Sequence, residues 1–232
     1  MPKLPPRWSR SRWNDAGPAV SCGFDLGHYA ELLDAVRAGG YRFSFFERKP
    51  CAGDLLLRHD VDISLHAALI MAELEAEAGV AATYFLMRQS DFYDLDTPPG
   101  EATIERLRRL GHRVGFHAVY PDAELDARFD PVLAWHTPDP QYMTKPVEGA
   151  LNVMQPEFFD PAHYRSDSNQ HWRSGCPHDE LARGAFEWLQ LLVHPEIWVY
   201  PGASMRETML AIPGAERGLR WKRLARNRID LS

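Results

Sequence analysis

The segment over residues 55–62 constrains the fold more than any other part of the sequence, because an apolar run ends there in Asp60 and Asp62. A short apolar run closed by polar residues is typical of a parallel strand that is covered on both faces. Two acids spaced by one residue point to the same side of a strand, here at its carboxyl end, where α/β proteins build active sites. The pair can supply a metal ligand and a carboxylate base, or it can be solvated in a loop and cap the next helix.

Strand and helix patterns alternate along the chain around this segment. Helical spacing and capping residues predict helices over residues 26–38, 65–78, 101–110 and 179–188. Apolar, partly alternating runs predict further strands over residues 41–46, 80–87, 113–117, 132–135 and 189–193. Such alternation with short connections implies parallel pairing through right-handed crossovers. The sequence therefore predicts an α/β fold with a parallel sheet.

The length and composition favour one domain with charged ends. The chain of 232 residues can bury a sizeable core, and no Gly/Ser-rich linker divides it. We expect a basic arm over residues 1–20, a single domain over residues 21–215 and a basic tail over residues 216–232. The formal net charge of −6 argues against a general nucleic-acid surface.

Cysteine usage and hydropathy bear on the cellular compartment. Cys22, Cys51 and Cys176 have no metal-type spacing and cannot all pair within one chain, which suits a reducing compartment. The first residues lack the apolar core of a signal peptide, and no apolar run reaches the roughly 18 residues of a membrane span. We therefore expect a cytoplasmic protein without membrane insertion.

Four motifs occur in a fixed order between about residues 54 and 198. They are His59-Asp60-Val61-Asp62, Gly111-His112-Arg113-Val114-Gly115-Phe116-His117, Tyr164-Arg165-Ser166-Asp167-Ser168-Asn169-Gln170-His171-Trp172-Arg173 and Leu192-Val193-His194-Pro195. In combination they resemble the polysaccharide deacetylase family, that is, carbohydrate esterase family four and its relatives. The resemblance implies a distorted, incomplete (β/α) barrel with about seven parallel strands, fewer than the eight of a regular barrel. It also implies removal of acetyl or formyl groups from amides with a divalent metal, usually zinc.

The resemblance assigns roles to four residues by their position in the motifs. Asp60 corresponds to the catalytic base of the family, and Asp62 corresponds to its metal-binding acid. His117 corresponds to the first histidine of the metal-binding motif, and His194 to the late histidine that acts as general acid. The residue types suit the chemistry, because a carboxylate can take a proton from water and an imidazole can protonate the leaving amine.

The sequence departs from the family pattern at one metal-binding position. Pro121 stands four residues after His117, where the family has a second histidine, and proline offers no ligand atom. His136 is the best replacement, because it ends the next predicted strand and can reach the same rim of the barrel. The alternative is a loop histidine bonded to backbone. Two histidines and one carboxylate leave a position open for water, as catalytic zinc requires.

Further candidates lie in the third motif and among the tryptophans. The resemblance implies that Asp167, with Arg165 or Arg173, orients the catalytic pair, although ordinary ion pairs are an alternative. Trp172 and Trp198 are candidates for a wall on which a sugar stacks, or for core residues.

The leading hypothesis is a metal-dependent hydrolase that removes a small acyl group from an amide nitrogen of a sugar or related small molecule. One alternative, prompted by the missing histidine, is a catalytically silent barrel that binds a glycan or a partner protein. Another is a hydrolase of a different non-peptide C–N bond. The substrate, the metal and the oligomeric state are not determined by the sequence.

Overall fold

The structure is a computed structural model that describes residues 23–119 and 125–215. The predicted arm over residues 1–20, the predicted tail over residues 216–232 and Pro121 therefore lie outside the described residues. Within the described ranges, no helix is both long enough and apolar enough to cross a membrane.

The described strands form one curled, open sheet in which every pair is parallel. In chain order they are β1 (Arg42–Phe43), β2 (Asp54–Val61), β3 (Thr83–Leu86), β4 (Arg113–Ala118), β5 (Val132–Trp135), β6 (Leu151–Asn152), β7 (Tyr164–Ser166) and β8 (Leu189–Val193). The continuous path is β6-β5-β4-β3-β2-β8-β7, and β1 pairs with the start of β2. The seven strands of this path form a half-barrel, which confirms the distorted, incomplete (β/α) barrel expected from the sequence.

Helices connect most of these strands. They are α1 (Leu26–Ala38), α2 (Leu65–Glu77), α3 (Pro98–Arg109), α4 (Pro140–Met143), α5 (His178–Ala182), α6 (Pro195–Val199) and α7 (Met205–Ala211). The three longest begin at side-chain caps, since Asp25, Ser64 and Thr97 each accept a hydrogen bond from a backbone N–H of the first turn. These caps explain why the helical patterns in the first half of the chain predicted the structure well.

Several predicted boundaries are wrong. The helix predicted over residues 179–188 ends at Ala182, because Gly184 adopts a φ of 66° and approaches the backbone of Gly39. The strand predicted over residues 41–46 is only two residues long, and Phe46 turns into the barrel interior. Strands β6 and β7 were not predicted, because two or three residues are too few for a periodic pattern.

Strand β2 lies inside the sheet between β3 and β8 and is buried over its whole length, as predicted for a strand covered on both faces. Leu55 and Leu57 point to the convex face, where they pack with the helices. Leu56 points to the concave face and packs with Phe85 and Val132 inside the half-barrel. Because side chains alternate along a strand, the charged residues at positions 58, 60 and 62 follow Leu56 on the concave face.

Candidate functional site

A cavity of about 600 Å³ lies at the carboxyl ends of the strands. Ionisable side chains that end or follow several strands line it: Arg58, Asp60, Asp62, His117, His136, His194 and Glu196. The carboxyl ends of parallel strands meet at one edge of a sheet, which brings together residues that are far apart in sequence. This edge is where the first motif predicted a site.

The strand register brings the predicted metal ligands to the same level. Val61 pairs with Leu86, and Leu86 pairs with Phe116, so the residues that follow, Asp62 and His117, are level across β3. On the next strand Trp135 pairs with Ala118, and His136 follows immediately. The three predicted ligands therefore come from the ends of β2, β4 and β5.

The side chains of Asp62, His117 and His136 form a compact cluster that could hold a metal ion. Nε2 of His117 lies 3.1 Å from Oδ1 of Asp62, and Nδ1 of His136 lies 3.2 Å from the same oxygen. The two histidine nitrogens are 3.3 Å apart. The side chains of Asp62 and His136 are 22% and 24% exposed, so the cluster is accessible from the cavity. The structure thus places His136 where the sequence required a replacement for the second histidine, and its role as a ligand stays a prediction.

The surroundings of His117 fit a metal-binding role. Its Nδ1 lies 3.1 Å from the carbonyl oxygen of Ala134, which can only accept, so Nδ1 carries a proton and Nε2 is the ring nitrogen that faces the cluster. Burial alone would lower the pKa of His117, but the carboxylates of Asp60 and Asp62 raise it above its usual value. The same negative charge that favours an imidazolium there favours a metal cation.

Asp60 lies beside the cluster in a buried ion pair with Arg58. Nε and Nη2 of the arginine donate to the two carboxylate oxygens over 2.8 and 2.7 Å, and Nη1 donates to Oε1 of Gln190. Burial alone would raise the pKa of Asp60, but the guanidinium group holds it below its usual value. Asp60 is therefore a fixed carboxylate, with its Oδ2 3.7 Å from Nε2 of His117.

His194 follows β8 and contacts Asp167 of the third motif. Val193 pairs with His59, so the register brings His194 level with Asp60. Nδ1 of His194 lies 2.6 Å from Oδ1 of Asp167, and the backbone N–H of His194 donates to Oδ2 over 3.0 Å. Burial opposes protonation, but the Asp167 carboxylate raises the pKa of His194 to about 10.

Trp198 is a core residue, which was the alternative to a sugar-stacking wall in the sequence analysis. It is 1% exposed and does not line the cavity, so it offers no surface on which a sugar could stack. Its indole Nε1 donates to Oδ2 of Asp167 over 2.7 Å. Trp198 therefore supports the acid that holds His194, while Trp172 does line the cavity.

Neither arginine of the third motif orients Asp60 or His194. Arg165 lines the cavity, but its Nε lies 3.5 Å from Glu180 and its guanidinium group lies over the ring of Phe186. Arg173 is exposed at the cavity. Within the described residues, the arginine that holds the catalytic candidate Asp60 is Arg58.

Sequence reasoning missed Arg58 and Glu196. Arg58 could have been found, because it lies two residues before Asp60 on the same face of the strand. Glu196 lies two residues after His194 in an otherwise apolar stretch, which is the only local signal for it. Burial and the nearby Asp62 carboxylate raise the pKa of Glu196 to about 8.

Comparisons with protein-family models, with curated proteins and with solved structures found no match for this chain. The fold and the site therefore define the class of the protein by themselves. It is an incomplete parallel α/β barrel with an Asp–His–His cluster that could hold a metal ion.

Proposed function

We propose that the protein is a metal-dependent hydrolase that removes an acetyl or other small acyl group from an amide nitrogen of a sugar or related small molecule. The observation that carries the proposal is the grouping of the Asp62–His117–His136 cluster, Asp60 and His194 around one cavity. Amide hydrolysis needs a polarised carbonyl, a proton acceptor for water and a proton donor for the amine. The resemblance of four motifs to the polysaccharide deacetylase family supports the same chemistry.

The cluster would hold one divalent metal, and we propose that it is zinc. Two imidazole nitrogens and one carboxylate oxygen are a donor set that zinc binds at catalytic centres, with a further position left for water or substrate. A metal held there would polarise the amide carbonyl and lower the pKa of a water molecule. His117 is already oriented for this role by the carbonyl group of Ala134.

Asp60 would act as the base. Arg58 fixes the carboxylate group through two hydrogen bonds and keeps it ionised, which is the form that accepts a proton. The carboxylate also lies next to His117, so it is close to the atoms that would position the water. Arg58 is thus a positioning residue that acts through Asp60.

His194 would act as the acid. Its raised pKa means that it carries two ring protons near neutral pH, one of them directed to Asp167 through Nδ1. The Nε2 proton is then available for the amide nitrogen, which is a poor leaving group until it is protonated. Asp167, fixed in turn by Trp198, keeps the imidazole ring in this orientation.

Comparison of an amide with an activated ester tests the role of His194. We expect His194→Ala to slow hydrolysis of an N-acetyl amide by about 100-fold or more, because the leaving amine loses its proton donor. Hydrolysis of 4-nitrophenyl acetate should fall much less, because that leaving group needs no proton. His178→Ala, at a histidine that does not line the cavity, is the matched control. Equal losses on both substrates would show that His194 does not supply the proton.

Release of free amine tests the whole proposal. The zinc-loaded protein and the protein treated with a chelator would be assayed on N-acetyl and N-formyl sugars and on cyclic amides. We expect zinc-dependent cleavage of an N-acyl sugar. Zinc binding without any cleavage would favour the silent binding barrel, and cleavage of cyclic amides alone would favour a hydrolase of another C–N bond.

A further inference from the structure

Glu196 is a buried acid whose hydrogen bonds are not satisfied by the protein. It lies in the first turn of α6, is 0% exposed and lines the cavity. Within the described residues, neither of its carboxyl oxygens has a hydrogen-bond partner. A buried polar group without a partner destabilises a folded protein, so its presence in a cavity wall calls for an explanation.

The other buried acids of the barrel do have partners. Asp60 is held by Arg58, and Asp167 accepts three hydrogen bonds from His194 and Trp198. Among the residues that the structure describes, burial of a carboxyl group is therefore common, whereas a carboxyl group without hydrogen-bond partners is the exception.

Other unsatisfied polar groups lie around the same cavity. The indole Nε1 atoms of Trp135 and Trp172 are buried and have no hydrogen-bond partner within the described residues, and both residues line the cavity. An indole N–H can only donate a hydrogen bond. Nε of Arg165, which also lines the cavity, is a third buried donor without a hydrogen-bond partner within the described residues. The cavity wall thus offers three donors and one carboxyl group that the described residues leave unused.

We propose that Glu196 is a substrate-binding residue whose carboxyl group pairs with a hydroxyl group of the substrate. The inference rests on the proposed function and deepens it, since it selects hydroxyl-bearing N-acyl compounds over plain alkyl or aryl amides. A hydroxyl group both donates and accepts, so it can satisfy the carboxyl group in either direction. Sites that hydrogen-bond a substrate hydroxyl discriminate strongly against analogues that lack it.

The protonation of Glu196 is consistent with this pairing. In the metal-free protein, burial and the nearby Asp62 carboxylate raise the pKa of Glu196 to about 8, so the group is a neutral acid near pH 7. A neutral carboxyl group has one O–H donor and retains acceptor capacity. It matches a hydroxyl group better than it matches an ammonium group, which would need a carboxylate.

The first test measures thermal unfolding without metal or substrate. We expect Glu196→Leu to raise the midpoint of unfolding, because it removes an unsatisfied buried group and loses no hydrogen bond. Glu75→Leu is the matched control, because Glu75 is equally buried but accepts hydrogen bonds from Tyr29 and Tyr84. That control should lower the midpoint. A similar drop for Glu196→Leu would show a structural role and overturn the proposal.

The second test compares N-acetyl-D-glucosamine with N-cyclohexylacetamide, which has a ring of the same size without hydroxyl groups. For the zinc-loaded protein, Glu196→Leu should lower kcat/KM on the sugar by about tenfold or more and change the cyclohexyl amide little. Glu196→Gln, which keeps a donor and an acceptor, should retain most of the activity. Equal losses on both substrates would overturn the proposal.

Two binding measurements separate this proposal from the proposed function. If neither amide is cleaved, calorimetric binding of N-acetyl-D-glucosamine still tests Glu196, and binding that is weakened by Glu196→Leu supports the proposal although the reaction fails. Absence of sugar binding, or equal binding by both proteins, overturns it. Zinc affinity should be the same in the wild type and Glu196→Leu, whereas a tenfold loss would make Glu196 a metal ligand instead.

Discussion

The two faces of β2 both carry buried clusters of ionisable side chains, but the clusters differ in whether protein groups satisfy their hydrogen bonds. On the convex face, Nε2 of His59 lies 2.7 Å from Oε1 of Glu75. Tyr29 donates a hydrogen bond to the same oxygen, and Tyr84 donates one to Oε2. The ring of His59 stacks on Tyr84 with centroids 4.1 Å apart. On the concave face, Asp60 is paired with Arg58, but the groups next to it face a cavity.

The difference shows that a buried charge is not by itself a sign of function. On the convex face, both oxygens of Glu75 bond to side chains from α1 and β3, and none of these residues lines the cavity. At the cavity, the Asp62–His117–His136 cluster is partly exposed, and Glu196 of α6 has no hydrogen-bond partner within the described residues. A candidate site is distinguished from structural polar packing by side chains at a cavity that can still bind a ligand or form a hydrogen bond.

The largest expected effect is the loss of the base on the concave face. Asp60→Asn should reduce the rate of substrate hydrolysis by about 100-fold to 10,000-fold, because the carboxamide side chain of asparagine cannot take a proton from water. Zinc should still bind, since Asp60 is not in the cluster, and its affinity should fall less than on loss of the predicted ligand His136. Steady-state rates together with zinc titration would check this, and an unchanged rate would remove Asp60 from the mechanism.

The second largest effect should be a loss of stability on the convex face, without a loss of metal binding. Glu75→Leu on the convex face should lower the free energy of unfolding by about 3–5 kcal/mol, because it leaves His59 and two tyrosine hydroxyls without their buried partner. Zinc affinity of the folded fraction should match the wild type. Urea unfolding and zinc titration would measure both, and a change in zinc affinity of tenfold or more would mean that the two faces are coupled.

His136 offers a direct comparison with a histidine of the convex face. His136→Ala should weaken zinc binding by about 100-fold. Loss of a residue that only orients a metal ligand costs about 10-fold to 100-fold in affinity, and loss of a ligand should cost at least as much. His112→Ala should leave zinc affinity intact but destabilise the protein, because the His112 ring bonds to the backbone of Ala72 and Ala82. A zinc-soaked structure in which His136 points away from the metal would disprove its role as the replacement ligand.

The fourth expected effect is a pH dependence of stability in the metal-free protein, spread over several pH units. The pKa of Glu196 is about 8 in the folded state against 4.5 ordinarily, so the folded state binds more protons between these values and stability falls as the pH rises through them. His194, raised from 6.5 to about 10, adds a similar decline at higher pH. Glu196→Gln should flatten the lower part of this range. Urea unfolding across the pH range would show it, and identical slopes would contradict the raised pKa.

Much of the fold could be predicted because its signals are local. Strand β2, the caps of the long helices and strand β8 are encoded in runs of neighbouring residues, as Ser64 before α2 illustrates. The positions of Asp60 and Asp62 followed from the same run. Strands β6 and β7 could not be predicted, because they exist only through pairing with neighbours that are distant in sequence.

The site was predicted less completely than the fold. The pairing of Arg58 with Asp60 and the lack of a partner for Glu196 depend on side chains that meet only in the folded barrel. The burial of Trp198 and its hydrogen bond to Asp167 likewise arise only in the folded barrel, and a count of aromatic residues does not reveal them. The motifs indicated where the site lies, whereas the hydrogen-bond partners of its side chains could be identified only from the structure.

The origin of the three cluster residues on separate strands has a consequence for folding. Asp62 and His117 are 55 residues apart, and His117 and His136 are 19 residues apart, so no two of them form a local chelate in the unfolded chain. A pair of histidines four residues apart could bind metal before folding, which would reduce the stabilisation that metal gives to the native state. In this chain a bound metal would cross-link β2, β4 and β5 only once they have assembled. It would therefore stabilise the native sheet with nearly its full binding free energy, about 4 kcal/mol at a concentration 1,000 times the Kd.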